Sequence, residues 1–544
     1  MKKKIMTMAI AAALLCAAGC AGEKGKDVSS TFNGEISFPV EEPITLTIWR
    51  DNSLFVVDNY KEMGCYKEME KATGIAVDFI HPVAGQVSEQ FNVMIASGEY
   101  PDIIESVDGN YQGGRAKAYE DGVILEMSEL VEKYAPNFTA LCKEYPEVMY
   151  ASQNDKGQLF ELPFIRGGSV LRTFRGPIVR ADLLEKYGLS APETIDEWHT
   201  VLKTFKDNGV EYPFTSTSAF FKTEVFAGAY GIPLGWFVED GVVKYGYYDE
   251  RFKAYMQTMA DWYSEGLIDP EIMTNDSKTV DSKMLSGKVG AMIGTVGNSI
   301  GGYISEKQKT DPEFDLQAAS YPTLEKGGRA YIIQREDNVL PNMGSSITTS
   351  CKNPEYATAY LDYAFSKEGH MMFNFGVEGE SYEMIDGYPT FTEVVTNNPD
   401  GLPMNKAGSL YARSFTMGTF VQDPKYADTF YGQQRQKEAT QVWTKDVDYV
   451  AEKNIAYKGT LTPTESAEIT PMQNEVNTFI GENFMAWLMG TKSLDNFDEY
   501  LAHLKDMGIE DIIKIRQEAY DRYIEKFPEM KNSVEYDVSD YYWK

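Results

Sequence analysis

The segment Gly297–Gly301, GNSIG, has the spacing of a nucleophile elbow, G-x-S-x-G. In such an elbow the serine hydroxyl attacks a carbonyl carbon, and an acid and a histidine follow later in the chain, as His370 and His503 do here. The motif also needs a helix directly after the serine, and the residues IGG after Ser299 begin a helix poorly. No HGGG-type segment that would form an oxyanion hole is present. The pattern therefore favours a loop of small residues over a hydrolase site.

Other catalytic and metal chemistry has weaker support. The segment SGKVG carries the Gly-Lys pair of a phosphate loop, but Val289 replaces the Ser or Thr that would hold magnesium. The four histidines never occur as H-x-x-x-H or H-E-x-x-H, so zinc is unsupported. Glu378 and Glu380 suggest the paired carboxylates of a glycoside hydrolase. With 82 acidic residues in the chain such pairs arise freely, and we predict no catalytic residue and no cofactor.

Polar and aromatic side chains stand at the ends of two short apolar strands. The segment ITLTIW (44–49) alternates apolar residues with threonine and ends on Trp49, with Asp51 and Asn52 close behind. The segment DIIES carries Glu105 directly after two isoleucines. Because ligands of open α/β sheets bind beyond the carboxyl ends of the strands, we expect these side chains to line one edge of a sheet. The edge is the first candidate binding site.

The elements around this edge alternate between strand and helix. A helical stretch over 60–71 ends at Gly74, and IAVDFI (75–80) reads as the second strand. Apolar residues over 87–95 share one helical face, and Gly98 follows as a left-handed C-cap. The order strand, helix, strand, helix, strand predicts a parallel sheet with helical crossovers.

A second α/β unit begins near Phe164, as expected for 544 residues, which are too many for one core. Thr194 and Glu197 have the spacing of a capping box at the start of a helix. The segment GKVGAMIGTVGNS reads as a buried strand that runs into a glycine-rich turn. A later helix has Pro354 at its first position and Gly369 at its predicted stop. The C-terminal third reads as helical.

Residues 1–19 have the basic start, short apolar run and small-residue end of a signal peptide. The ending AAGC resembles a bacterial lipobox, which predicts lipidation of Cys20, although Ala17 stands where the pattern more often has leucine. The alternative is an ordinary secretory signal cleaved near Ala21. Residues 20–36 are small and polar and read as a flexible tether.

The composition excludes several classes of partner. The net charge of −31 argues against binding to nucleic acid and against a polybasic membrane contact. After the signal peptide no segment reaches the ~18 apolar residues of a transmembrane helix, so a lipid is the only expected anchor. Cys65, Cys142 and Cys351 form no disulfide framework and are expected to be small buried apolar residues.

The order of several segments resembles the extracellular solute-binding lipoproteins of bacterial ABC importers, in the branch that captures oligosaccharides. The resemblance covers nearly all of residues 44–525. The segments that carry it are FNVMIASGEYPDIIES (91–106), RADLLEKYGLSAPETIDEW (180–198), WYSEGLIDPE (262–271), SGKVGAMIG (286–294), SYPTLEKGG (320–328) and the later FSKEG with NFGVEGESYEMIDGYPTFT. The resemblance implies a two-lobed periplasmic-binding-protein-like α/β fold with crossover segments and a helical C-terminal region.

The resemblance also implies where the chain is divided. Residues 37–163 with 343–395 are expected to form the N-terminal lobe, and residues 164–342 with 396–544 the C-terminal lobe. The first crossover is expected near Leu162–Phe164 and the return near Met343–Ser346. Many members of this branch carry a calcium loop where this chain has FKDNGVEYPFT. Because that segment lacks the repeated oxygen ligands of a calcium site, we predict no metal there.

A sugar site needs flat aromatic platforms and side chains that both donate and accept hydrogen bonds. On the resemblance, the residues expected to contact the sugar are Trp49, Asp51, Asn52, Glu105, Tyr111, Arg166, Arg172, Trp236, Thr295 and Asn298. Trp49 is the first platform and Trp236 the facing one, unless Trp236 is a core residue. Arg166 and Arg172 would pair with a uronic acid carboxylate, or else are surface arginines of an acidic protein.

The resemblance finally implies partners and a location. The protein is expected to be a monomer that is held by lipid at the extracellular face of the cell membrane. It would pass its oligosaccharide to the permease subunits of an ABC transporter. The alternative is a surface-anchored hydrolase of sugars or esters.

Overall fold

The computed structural model describes residues 34–52, 56–531 and 537–544. The predicted signal peptide, Cys20 and nearly all of the predicted tether lie outside the described residues. Two large hydrophobic cores are present, one around Leu46 and Ile48 and the other around Trp198 and Phe205. Each core covers a β-sheet with helices, so the predicted two-lobed α/β fold is confirmed.

The strands of both lobes are short. In chain order they are β1 (Ile44–Trp49), β2 (Ile75–Ile80), β3 (Ile103–Glu105), β4 (Leu162–Arg166), β5 (Arg175–Arg180), β6 (Tyr212–Thr215), β7 (Trp236–Glu239), β8 (Val242–Tyr245), β9 (Val289–Thr295), β10 (Leu316–Ala318), β11 (Val339–Ile347), β12 (Tyr382–Ile385), β13 (Tyr388–Phe391) and β14 (Val421–Gln422).

The α-helices of the first half of the chain cover both sheets. They span Gly64–Thr73, Val87–Ser97, Val107–Asn110, Gly114–Glu120, Ser128–Tyr134, Pro136–Glu144, Pro146–Ser152, Ser169–Arg172, Ala181–Tyr187, Ile195–Asp207, Ser218–Phe221, Glu224–Ala227 and Arg251–Ser264. Those of the second half span Ser277–Leu285, Tyr303–Lys307, Pro354–Tyr363, Lys367–Phe375, Glu393–Thr396, Met404–Ser409, Lys425–Phe430, Gln434–Thr444, Val447–Lys453, Pro463–Leu488, Phe497–Asp506 and Ile509–Lys526.

The first lobe contains a six-stranded sheet in the order β14-β4-β11-β3-β1-β2. Strand β1 pairs in parallel with both β2 and β3, and the helices Gly64–Thr73 and Val87–Ser97 form the crossovers. Gly98 ends the second of these helices with a φ of 71°, the left-handed conformation that a glycine adopts most readily. The predicted succession of strands and helices is therefore confirmed.

The second lobe contains a four-stranded sheet in the order β10-β5-β9-β6. Helix Ile195–Asp207 begins at Thr194, whose hydroxyl accepts a hydrogen bond from the amide of Glu197 at 3.2 Å. The Glu197 carboxylate accepts from the amide of Glu193 at 2.8 Å, one residue before the position of an ordinary capping box. The predicted helix start is thus confirmed with a small shift in its second hydrogen bond.

The chain passes between the lobes after β4 and returns before β11. Strands β4 and β11 pair with each other inside the first sheet, so the lobes are joined by the segments 167–174 and 331–338, a few residues away from the predicted positions near Leu162–Phe164 and Met343–Ser346. Strand β14 also belongs to the first sheet, where it pairs with β4. This strand lies inside the range 396–544 that the sequence assigned to the C-terminal lobe. The last described residues, 537–544, also pack on the first lobe, and at the remaining positions the predicted lobe boundaries stay a prediction.

The C-terminal third is helical, as the sequence predicts, but one predicted stop is wrong. Helix Pro354–Tyr363 ends before Ser366, whose hydroxyl accepts a hydrogen bond from the amide of Gly369 at 3.0 Å. Ser366 therefore caps a new helix, Lys367–Phe375, and Gly369 lies in its first turn. The last described residues return to the first lobe, where Tyr542 stacks on His370 with ring centroids 3.7 Å apart.

Candidate functional site

A cavity of about 600 Å³ lies where both lobes meet the crossover segment 331–338. The first lobe contributes Arg115, Glu147 and Gln153 from its helices and their connecting loop. The second lobe contributes Trp236 from β7 and the loop 454–460 that follows helix Val447–Lys453. The volume of the cavity lies within the ~300–1,000 Å³ that is typical of small-molecule sites. The cavity is therefore the candidate binding site.

Aromatic side chains form much of the wall on the second lobe. The cavity is lined by Trp236, Phe237, Tyr331, Tyr457 and Tyr523. The Trp236 ring stacks on Tyr245 at a centroid distance of 4.4 Å, and the Arg516 guanidinium carbon lies 4.4 Å from the same centroid. Since Tyr245 stacks on the ring and Arg516 lies over it, less of the Trp236 face is left for a sugar ring.

Two of the arginines at the crossover are already held by the protein. The Arg166 guanidinium pairs with the Glu336 carboxylate at 2.8 Å and donates to the carbonyl of Leu171 at 3.1 Å. Arg172 lines the cavity, and its Nε donates to the backbone carbonyl of Glu336 at 2.9 Å. Both arginines therefore fasten the helical turn after β4 to the returning segment.

Lys458 lines the same cavity, in the loop 454–460. Its Nζ donates to Asn454 Oδ1 at 3.2 Å and to the carbonyl of Met530 at 3.3 Å. Partial burial lowers the pKa of this ammonium, and the positive charges of Arg172 and Arg335 lower it further, against the opposing charge of Asp337. The site thus contains a lysine whose charge is poorly solvated.

Trp49 does not reach this cavity. Only 5% of the side chain is exposed, and its ring meets Phe91 edge to face at 6.1 Å, in a small core with Ile104 and Val107. Trp49 also lines a separate surface depression of about 550 Å³ beside the helix Val87–Ser97. The structure therefore places Trp49 under a helix of the first lobe and away from the space between the lobes.

The strand ends meet at one sheet edge, as expected, and they form a buried ion network there. The Glu105 carboxylate contacts Arg50 at 3.2 Å and Arg413 at 3.1 Å, and Arg413 is only 1% exposed. Arg50 also donates to the carbonyl of Thr416 at 2.6 Å, and Arg413 Nε to that of Met417 at 2.7 Å. Glu105 therefore anchors the returning segment 413–417 on the ends of β1 and β3.

The other first-lobe candidates also have contacts within the lobe. The buried Asn52 donates to the carbonyl of Val57 at 2.8 Å, and Asp51 is half-buried beside it. The Tyr111 hydroxyl donates to Asp121 at 2.8 Å, and burial with this carboxylate raises the pKa of Tyr111. None of these three is among the described residues that line the cavity.

The glycine-rich turn after β9 does not assemble a catalytic triad. The Ser299 hydroxyl accepts from the amide of Thr295 at 3.0 Å, and Asn298 beside it is exposed. His370 Nε2 lies 2.9 Å from Asp423 in the first-lobe core, and the His503 ring packs on Phe479. Among the described contacts, no histidine reaches Ser299. The predicted poor helix start is wrong, because Val296–Gly302 forms a π-helical turn that continues into Tyr303–Lys307.

Sequence reasoning named Arg172 and Trp236 on the cavity wall but missed most of the others. Many of the missed residues lie in two irregular segments, 331–338 and 454–460, which match no motif. The only signal in the second is an aromatic and a lysine next to glycine, YKGT, as in loops that receive a ligand. Arg115 was missed as well; it lies on a first-lobe helix and pairs with Glu161.

No helix described here is both long and apolar enough to cross a membrane. Within the same residues no group of three or more His, Cys, Asp or Glu side chains is arranged to hold a metal ion. At the segment compared with a calcium loop, Asp207 pairs with Lys203 at 3.0 Å.

Comparison with known proteins adds family information. A sequence profile described as "Bacterial extracellular solute-binding protein" matches residues 58–371, more than half of the chain. The fructooligosaccharide ABC transporter substrate-binding protein FusA of Streptococcus pneumoniae is 23% identical over 94% of this chain and 97% of its own. Lipoprotein LipO of Bacillus subtilis is 24% identical over 66% of this chain and 72% of its own.

One of the solved structures has a higher sequence identity to this chain than the two relatives named above. The crystal structure of the alginate-binding protein AlgQ2 without calcium ion is 28% identical to this chain, with a TM-score of 0.72. The match covers 90% of this chain and 100% of that one. The whole fold, with both lobes, is therefore shared with a known binding protein.

Proposed function

Because the chain belongs to the family of bacterial extracellular solute-binding proteins, we propose that it captures an oligosaccharide in the cavity between its lobes and delivers it to an ABC transporter. The cavity carries this proposal: it lies between two lobes and has about 600 Å³ of space. Similar proteins named for fructooligosaccharide and alginate support an oligosaccharide as the ligand.

The lining of the cavity has the chemistry that a sugar requires. Aromatic side chains such as Tyr331 and Tyr457 offer apolar surface, while Gln153 and Asn454 both donate and accept hydrogen bonds. Sugar rings pair apolar faces with a rim of hydroxyl groups, so they need both kinds of surface. Among the described residues no histidine contacts Ser299 to support the catalytic alternative, so the proposal is binding without turnover.

The crossover segments would let the lobes close on the ligand. Arg522 of the second lobe already pairs with Asp155 of the first at 2.7 Å, and Tyr150 stacks on Phe527 at 4.8 Å. These contacts lie beside the cavity and would serve as the pivot for closure. Small-angle scattering should show a smaller radius of gyration with saturating ligand, and an unchanged radius would argue for a rigid site.

The main test is a thermal-shift screen against neutral and acidic oligosaccharides, followed by calorimetric titration of each ligand that raises the melting temperature. We expect at least one oligosaccharide to bind and to be recovered intact after long incubation with the protein. If no oligosaccharide binds, the proposal fails. If sugars or esters are cleaved by the protein but not by Ser299→Ala, the protein is a hydrolase instead.

Anchoring by lipid at Cys20 is part of the same proposal. The AAGC ending of the signal peptide supports it, as does the similarity to a protein named as a lipoprotein. The protein would then act as a monomer at the extracellular face of the membrane, beside its permease. Cys20→Ser should move the protein from the membrane fraction or leave the precursor uncleaved. Unchanged detergent partitioning would contradict the anchor.

A further inference from the structure

Lys458 has no acidic partner among the residues that the structure describes. Its two acceptors are neutral, the amide oxygen of Asn454 at 3.2 Å and the carbonyl of Met530 at 3.3 Å. An ammonium group has three N–H donors, so one donor remains for another acceptor. The side chain is half-buried on the cavity wall, where water can solvate it only in part.

Two arginines, one on the cavity wall and one beside it, are paired with carboxylates. Arg115 contacts Glu161 at 2.6 Å, and Arg166 contacts Glu336 at 2.8 Å. The chain has 82 acidic and 51 basic residues, so acidic partners are abundant. A lysine that lines this cavity without such a partner is therefore a candidate to receive its anion from outside the protein.

Charges of both signs face Lys458, and none of the negative ones contacts it directly. Arg172 and Arg335 line the same cavity and repel the ammonium, which contributes to the lowered pKa of Lys458. Asp337 and Glu147 act in the opposite direction, but among the described residues the lysine nitrogen donates hydrogen bonds only to neutral oxygens, those of Asn454 and Met530. A partly buried cation without a close anion costs free energy, which a bound anionic group would offset.

We propose that the captured oligosaccharide is acidic, and that Lys458 binds an anionic substituent of its sugar rings. Arg172 and Arg335 would flank the same group. The proposal rests on the proposed function and adds the chemical class of the ligand. A uronic acid carboxylate and a sulfate ester share the required chemistry, a single negative charge on oxygen acceptors, and the experiment distinguishes them.

The probes are oligosaccharides of galacturonate, mannuronate and guluronate, and a sulfated galactan oligosaccharide, each with its neutral counterpart. The counterpart is the methyl ester for the carboxylates and the desulfated sugar for the sulfate. Calorimetric titration should show that one acidic probe binds about tenfold or more tightly than its counterpart, the effect of one charged hydrogen bond. Raising the salt from about 20 mM to about 200 mM should weaken only the acidic probe.

Variants of Lys458 separate its charge from its packing. Lys458→Met should lower the affinity for the acidic probe about tenfold and leave the neutral counterpart unchanged, while Lys458→Arg should keep most of the preference. The matched control is Lys445→Met, because Lys445 is exposed and contacts Ser320 at 2.9 Å, away from the cavity lining. Melting curves of all three variants verify that they are folded.

Each result decides the proposal. Preference for acidic sugar that depends on Lys458 supports it, and the probe that binds identifies carboxylate or sulfate. Equal affinity for acidic and neutral sugars, or an unchanged preference in Lys458→Met, overturns it. Binding of neutral sugars alone overturns the acidic ligand and leaves the proposed function in place, whereas no binding of any sugar overturns both. If Lys458 instead pairs with Asp337 when the lobes close, the preference for acidic sugar should be unchanged in Lys458→Met.

Discussion

Replacing Glu105 by alanine should destabilise the first lobe without changing the affinity for sugar. The carboxylate lies between Arg50 and Arg413, and Arg413 is almost completely buried. After the substitution Arg413 would keep its hydrogen bonds to the carbonyl of Met417 and to the Tyr66 hydroxyl, but it would lose its counter-ion. A buried charge would then be left without an opposite charge.

The expected loss of stability follows from this geometry. Breaking a buried ion pair by removing one partner costs about 3–5 kcal/mol. The remaining hydrogen bonds of Arg413, and its position 5.2 Å from the Tyr60 ring centroid, partly compensate. We therefore expect about 3 kcal/mol, at the lower end of this range. At about 2–4 °C for each kcal/mol in a domain of this size, the melting temperature of the lobe should fall by about 6–12 °C.

Differential scanning calorimetry of the wild type and three variants tests this expectation. Glu105→Gln keeps an acceptor oxygen, so its melting temperature should lie between those of the wild type and Glu105→Ala. Glu99→Ala is the matched control, because Glu99 is an exposed glutamate near the same strand and should change the melting temperature little. The reasoning is refuted if Glu105→Ala melts like the wild type but binds sugar more weakly. Glu105 would then be a ligand contact, as its place at the strand end first predicted.

Three further predictions concern other buried groups. Trp49→Ala should cost about 3–5 kcal/mol of stability and leave the affinity unchanged; titration and melting curves check this, and lost affinity at an unchanged melting temperature would contradict it. Burial raises the pKa of Asp423, but the hydrogen bond and charge of His370 outweigh it and hold that pKa below its ordinary value. The stabilisation is therefore present above the unfolded pKa, about 3.9, and is lost as the pH falls further. Asp423→Asn should make the melting temperature depend less on pH in this acidic range. An unchanged dependence would argue against a stabilising His370–Asp423 pair. Burial raises the pKa of Cys65 and of Cys351 to about 12. Iodoacetamide at about pH 8 should therefore label both cysteines only after the protein is unfolded. Mass spectrometry that finds Cys65 labelled in the native protein would contradict this.

Features set by local rules could be predicted from the sequence. The apolar stripe of helix Ile195–Asp207 is buried, Gly98 adopts the left-handed C-cap, and Pro354 lies at the first position of its helix. Each depends on residues within a few positions along the chain. The wrong stop at Gly369 shows the limit of such rules. A serine that can begin a helix, Ser366, lies three residues before a glycine that can end one, and in the structure Ser366 caps a helix that includes Gly369.

Features that depend on distant residues could not be predicted in this way. Strand β14 has only two residues and joins the sheet through β4, which lies far away in the sequence. Trp49 shows the same difficulty. Leu46 and Ile48 face the main core of the first lobe, whereas Trp49 points to the opposite face of the sheet, where the helix Val87–Ser97 covers it. The sequence showed threonines on that face and gave no indication that a helix would pack over its end.

Charged residues need a further step, because the same side chain can hold a ligand or hold the fold. Glu105 stands where a ligand contact is expected, yet two arginines take its carboxylate, one of them from a segment that returns late in the chain. Lys458 stands in a loop without a motif, yet no described carboxylate forms a hydrogen bond or ion pair with it. Whether a charged residue contacts a ligand or stabilises the fold depends on the residues around it. Those neighbours are visible only in the three-dimensional structure. A residue whose charge the fold already satisfies has little left for a ligand, while an unsatisfied charge on a cavity wall has a reason to bind one.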